Sequence, residues 1–272
     1  TSSRAGRAAR LADMLGTALL RAREYRLALV EVYSGPAFRW AEAVCGLLSA
    51  LRKPYVLVLH GGGLPEFARL HPGRVRRLLA GARAVVTPSR WVAESLGNLR
   101  PDIGYLPNAI DIDQYPFRLR AGPSARLVWL RAFHLIYRPW VAVETLARVR
   151  AEHPQAGLVM VGPDNFDGSL ERTKARAREL RLVDAITFAG GVSKADVPAW
   201  LDRAEIFLNT TTLESFGVAA LEAAACGLPL VTTHVGELPY LWRNGEDALL
   251  VPPDDPAAMA AAVLRLLDEP GL

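Results

Sequence analysis

Short, uninterrupted apolar runs recur along this 272-residue chain with amphipathic segments between them, and that alternation restricts the fold more than any other feature. A first set predicts strands over Leu27–Tyr33, Pro54–His60, Ala84–Ser89 and Ile103–Pro107. A second predicts strands over Arg126–Leu130, Gly157–Gly162, Ala185–Gly190, Glu205–Thr210, Pro229–Thr233 and Ala248–Pro252. The runs are rich in Val, Leu and Ile, as strands covered by helices on both faces are. Helices are predicted between them, among others over Pro139–Glu152, Leu170–Arg181 and Pro256–Leu267. Strand and helix in alternation imply parallel sheets with right-handed crossovers, hence an α/β chain of two Rossmann-like doubly wound lobes. The aperiodic stretch Asn108–Pro123 separates the sets, which predicts a first lobe over 1–118 and a second over 119–272. Ligands of such sheets collect at the carboxyl ends of strands, so a cleft between the lobes is the expected site.

Composition narrows the function classes. With 51% hydrophobic and 22% charged residues the chain can build sizeable cores, which excludes a disordered chain. The most apolar stretch, Ser215–His234, is broken by Glu222 and by Gly227-Leu228-Pro229, so it reads as helix, turn and strand and not as a membrane span. The first residues lack the apolar core of a secretory signal. Cys45 and Cys226 sit in apolar helical context and are expected to be buried thiols, as suits a reducing, cytoplasmic compartment. The net charge is +4 and lysine stands only at Lys53, Lys174 and Lys194. Arginines cluster at Arg4, Arg7, Arg10, Arg21 and Arg23, and at Arg74, Arg76 and Arg77. Basic helices of this kind read first as solvated faces. Peripheral contact with an anionic membrane surface is the functional expectation, and no nucleic-acid partner is expected.

The most informative segment runs from Thr211 to Leu241, TTLESFGVAALEAAACGLPLVTTHVGELPYL. Glu214 follows a strand, a helix is expected from near Phe216, and Gly227 with Pro229 marks its end. Free amides over Ser215–Val218 at a positive helix end form an anion site. Glu222 lies about 9 Å of helical rise beyond Phe216, where a carboxylate can accept from a ribose diol.

This segment resembles the family 4 retaining glycosyltransferases of the GT-B architecture. The likeness rests on the glutamates of E-SFG-x4-E-A-x2-CGLP, the VGELP turn and the GEDALLVPPDD segment. It implies that Glu214 contacts the transferred sugar and that Glu222 binds the ribose hydroxyls. Phe216, Gly217 and Val218 would supply amides to the diphosphate. WLRAFHLIYRPW resembles the family's phosphate-binding segment, where an Arg and then a Lys-Gly are usual. Arg131 matches the arginine, while Tyr137 or Arg138 stands at the lysine position; Arg138 could restore the charge with a differently shaped head group. AGGVSKADVPAWL is similar to the turn that cradles the base, making Gly191 and Val192 backbone candidates, and PNAID is similar to the interlobe linker. His60, followed by Gly61-Gly62-Gly63, matches a histidine that the family often places near the sugar, and Gly61 and Gly62 become acceptor-side candidates.

The resemblance implies transfer of a sugar from a UDP- or GDP-linked donor to a glycan or lipid-linked hydroxyl, with no metal or other cofactor. Competing readings are weaker. His-Gly-Gly-Gly also resembles a lipase oxyanion loop, yet no Gly-x-Ser-x-Gly string is present. A nicotinamide enzyme would need Gly-x-Gly-x-x-Gly after a strand, and that is absent too. Asp111-Ile112-Asp113 has the spacing of a metal pair but reads as a turn. Four strands in the first set against six in the second imply a shortened first lobe. The alternative to an enzyme is therefore a catalytically impaired module that binds nucleotide or glycan.

Overall fold

The computed structural model describes residues 6–120 and 122–269. It divides into two compact units, Thr1–Asn108 and Ala109–Leu272. In the first, a parallel sheet runs in the order β1 (Ala28–Val32), β2 (Tyr55–Leu59), β3 (Ala84–Thr87) and β4 (Gly104–Tyr105). Its helices are α1 (Arg7–Leu20), α2 (Phe38–Ala50), α3 (Leu64–Leu70), α4 (Pro72–Ala80) and α5 (Arg90–Leu96). Val30, Val32, Leu57 and Leu59 pack with Phe38, Leu48 and Leu79 from the helices into one core. Ser89 caps α5 by accepting from the Val92 amide at 3.0 Å, which satisfies one of the helix's orphan donors.

The second unit holds β5 (Arg126–Leu130), β6 (Gly157–Val161), β7 (Ile186–Gly190), β8 (Ile206–Asn209), β9 (Leu230–Thr233) and β10 (Leu249–Val251). They form one parallel sheet in the order β10-β9-β8-β5-β6-β7. The helices are α6 (Pro139–Glu152), α7 (Ser169–Glu179), α8 (Val197–Asp202), α9 (Val218–Ala225), α10 (Leu238–Leu241) and α11 (Pro256–Asp268). Strand periodicity explains the continuous apolar runs. Leu127 and Trp129 face a core shared with Leu146 and Val263, whereas Val128 between them faces Phe207, Ala220 and Leu230 on the other side. The chain winds outward from β5 in one direction through β6 and β7, then returns to β8 on its other flank. The sheet therefore reverses its winding between β5 and β8, and at such a point the carboxyl ends open a crevice.

The division between units falls at Asn108, earlier than the 118/119 boundary expected from sequence. The polar breaks of Asn108–Pro123 suggest a linker, but its second part is anchored. Tyr115 is buried in the second unit's core, the Arg118 guanidinium pairs with Glu205 at 2.9 Å, and the enclosed Arg120 side chain donates to the Arg118, Ala204 and Cys226 carbonyls.

Both cysteines are buried. Burial pushes the Cys45 thiol up to about 12, the Tyr55 hydroxyl offsetting only part of it, and burial raises Cys226 as well. Since the thiolate is the nucleophile, the folded chain is expected to resist a thiol reagent at pH 8 and to label at both positions after unfolding. Rapid labelling of the native chain, followed by mass spectrometry, would contradict this. Of the basic clusters, Arg4 lies outside the described residues, as does the side chain of Arg7. Arg74 is ion-paired with Glu42 at 2.5 Å and rests on Phe38 and Phe67, so part of the α4 charge is already neutralised. No helix among the described residues is long and apolar enough to cross a membrane.

Candidate functional site

Two loops leave the sheet where its winding reverses. One follows β5 and carries Arg131; the other follows β8 and carries Glu214. Hydrogen bonds lace them together. Trp129 donates its indole N–H to Thr210 Oγ1 at 2.9 Å, and Thr210 donates onward to the Tyr137 carbonyl at 2.6 Å. The Thr212 amide donates to the Ile136 carbonyl at 2.8 Å, and Thr233 donates to the Thr211 carbonyl at 2.6 Å. Nothing in their spacing marks these threonines in the sequence, yet Thr210 and Thr212 fix the two loops to one another and Thr233 ties the second loop to β9.

On this frame Arg131 Nη2 donates to Glu214 Oε2 at 2.5 Å, with side-chain exposures of only 17% and 5%. Burial alone would pull the Arg131 guanidinium down, but the Glu214 charge and the contact with Tyr137 outweigh it and the net shift is upward. The guanidinium lies over the Tyr137 ring at 4.3 Å. Its Nε–H is buried and meets no protein acceptor. A buried donor without a partner is costly, and a ligand oxygen would satisfy it.

Glu214 also uses its other oxygen. Oε1 accepts from the Ser215 amide at 3.1 Å and from the Phe216 amide at 3.4 Å. The helix then begins later than expected, at Val218, because Gly217 adopts φ 98° ahead of it. The anion site read over Ser215–Val218 is thus corrected: its first two amides are occupied by Glu214. The amides of Gly217 and Val218 have no hydrogen-bond partner among the described residues and remain available at the positive end of α9. The loop is held from behind, since the Glu237 amide donates to the Glu214 carbonyl at 3.1 Å and a Cβ at Gly236 would collide with that same carbonyl.

Glu222, on α9, is 4% exposed. Its Oε1 accepts from the Tyr115 hydroxyl at 2.6 Å and is ion-paired with Lys194. Lys194 opens the short turn that follows Gly191 and Val192, so the segment expected to cradle a base is tied to the glutamate expected to hold a ribose. Neither Tyr115 nor Lys194 was marked by the sequence. Arg138 is placed differently from its expected role. It stands at the N-terminal boundary of α6 in a left-handed conformation and pairs with Asp254 at 3.0 Å, while Tyr137 stacks on Arg131. Among the described residues, Arg131 is the cation in direct contact with Glu214.

A family model described as Glycosyl transferases group 1 matches residues 127–269, which include Arg131, Lys194, Glu214 and Glu222 but not Tyr115. The chain belongs to that family. Among curated relatives of this group 1 glycosyltransferase, glycogen synthase of Mycobacterium tuberculosis H37Rv is 35% identical over 184 residues, covering 66% of this chain and 43% of the relative. D-inositol 3-phosphate glycosyltransferase of Acidothermus cellulolyticus is 30% identical over 256 residues, covering 86% and 56%. The chain therefore spans about half the length of the curated relatives it matches. Its fold is similar to that of Anabaena HepE, crystallised with UDP and glucose, with a TM-score of 0.82 at 18% identity over 98% of this chain and 75% of the other. The two Rossmann-like units are thus those of the GT-B class.

In the first unit, His60 follows β2, donates its amide to the Val32 carbonyl at 2.9 Å and stacks on Tyr33 with ring centroids 5.3 Å apart. Gly61 takes φ 84° in the turn that leads through Gly62 into α3. Among the described residues no group of three or more His, Cys, Asp or Glu side chains could hold a metal ion.

Proposed function

We propose that this chain binds a nucleotide-diphosphate sugar on its second unit and transfers the sugar, with retention of configuration, to a hydroxyl of a glycan or lipid-linked acceptor. The observation that carries this reading is the buried Arg131–Glu214 pair, set beside the unpartnered amides of Gly217 and Val218 where the sheet reverses. In this reading the diphosphate lies against those amides and takes the unpartnered Arg131 Nε–H. Glu214 faces the sugar, Glu222 takes the ribose hydroxyls, and the backbone at Gly191 and Val192 meets the base. His60, Gly61 and Gly62 serve the acceptor.

The protein's chemical share is charge stabilisation of the departing diphosphate, together with positioning. Arg131 does both, because Glu214 and Tyr137 already hold its guanidinium and little reorganisation is needed when charge develops. The acceptor hydroxyl attacks on the face from which the diphosphate leaves. The names of the curated relatives, one a glycogen synthase and one an inositol-phosphate glycosyltransferase, support a hydroxyl acceptor without choosing between a glycan and a smaller molecule.

One observation favours the reading of a binding module with weakened catalysis. Where the family usually has a lysine beside the phosphates, Tyr137 stands here, and Arg138 is committed to Asp254. Isothermal titration with UDP and GDP tests binding, and release of nucleoside diphosphate from the corresponding nucleotide sugars tests turnover. Glu222→Ala is expected to weaken nucleotide binding on the order of tenfold, the cost of losing a charged acceptor. Unchanged affinity would remove Glu222 from the ribose site.

A further inference from the structure

Glu222 is buried on α9, yet its nearest donor comes from a distant part of the sequence. Tyr115 ends the short turn Ile112–Gln114, is 6% exposed, and reaches Glu222 Oε1 at 2.6 Å. Its ring packs in the same core as Ala219, Ala220 and Ala223 of α9, which fixes the hydroxyl in place. Burial holds the Tyr115 phenol above its ordinary range, so it stays a donor into the alkaline range as well as at neutral pH. Lys194 approaches the same oxygen from solvent on a side chain that is 65% exposed. Both donors thus converge on Oε1, and among the described residues no hydrogen bond is made to Oε2.

We propose that Tyr115 is a positioning residue: it anchors one oxygen of Glu222 so that the other is presented, already oriented, to the ribose hydroxyls of a bound nucleotide. The proposal deepens the reading of Glu222 as the ribose acceptor and rests on it. A carboxylate fixed on one side by a short, buried, charge-assisted hydrogen bond loses little freedom when the ligand arrives. Without the hydroxyl, that ordering falls to the nucleotide. Lys194 cannot replace it, because a long exposed side chain holds the oxygen loosely.

Tyr115→Phe keeps the ring in the core and removes only the hydroxyl. Isothermal titration of the wild-type chain, Tyr115→Phe and Glu222→Ala with UDP, GDP and ADP, and with the 2′,3′-dideoxy form of whichever binds most tightly, separates the possibilities. The expected result is that Tyr115→Phe raises Kd about fivefold for the ribonucleotide, a part of the worth of one charged hydrogen bond, and leaves the dideoxy Kd unchanged. Equal losses on both nucleotides, accompanied by a lower thermal midpoint without ligand, indicate a purely structural tyrosine and overturn the proposal. So does an unchanged ribonucleotide Kd while Glu222→Ala still weakens binding, a result that leaves the ribose reading standing. If Glu222→Ala is also neutral, or no nucleoside diphosphate binds at millimolar concentration, the underlying reading fails and the positioning role fails with it.

Discussion

Arg131→Ala is expected to weaken nucleoside diphosphate binding on the order of a hundredfold and to lower the stability of the second unit by about 3 kcal/mol. The two losses have different origins. The affinity falls because Arg131 is the cation beside Glu214 and its buried Nε–H has no protein acceptor to give up when a phosphate oxygen arrives. The stability falls because Glu214 would keep a buried carboxylate without its counter-ion, while the Tyr137 ring loses the guanidinium it covers. Titration calorimetry and denaturant unfolding of the same variant read them separately. A variant that loses stability but binds UDP or GDP like the wild type would make Arg131 a structural residue only.

Glu214→Gln should act on turnover more than on affinity. Glutamine keeps the shape and can still accept from the Ser215 and Phe216 amides through its carbonyl oxygen, so the loop before α9 should survive. What disappears is the charge beside Arg131 and, in the proposed reading, beside the sugar. Release of nucleoside diphosphate from a nucleotide sugar is expected to fall by about 10²–10³, the scale of removing one oriented electrostatic partner. Binding of the free nucleoside diphosphate should change by less than about threefold, because a carboxylate facing the sugar contributes little to a ligand that has none. Comparable losses in both would mean that Glu214 serves the diphosphate and not the sugar.

The sheets were legible from sequence for a physical reason. β5 and β8 bury both faces, so Leu127-Val128-Trp129 and Ile206-Phe207-Leu208 had to be continuous apolar runs. α6 was legible to its ends, Pro139 and Glu152, because proline favours the first helical position. The family was legible from the two glutamates with their flanking Phe-Gly and Cys-Gly-Leu-Pro. Other features depended on geometry that no local pattern records. The start of α9 moved to Val218 because Gly217 sits at φ 98°, and the sequence does not reveal that Glu214 folds back onto the next two amides. Tyr137 and Arg138 are adjacent and both polar-tipped, and only the left-handed turn at Arg138 decides which of them meets Arg131. Tyr115 and Glu222 lie far apart in the chain, so their contact exists only once the segment after Asn108 folds against α9. The same packing explains the shifted boundary. Arg118 and Arg120 look like linker charges, but they satisfy Glu205 and the Cys226 carbonyl at the end of α9.

A crystal structure of the chain with the nucleoside diphosphate it binds most tightly puts the central claim to the most direct test. The account predicts phosphate oxygens within hydrogen-bond distance of the Gly217 and Val218 amides and of the Arg131 guanidinium, with the ribose hydroxyls on Glu222. A nucleotide seated elsewhere, with Arg131 and Glu214 still closed on each other and the α9 amides untouched, would contradict it.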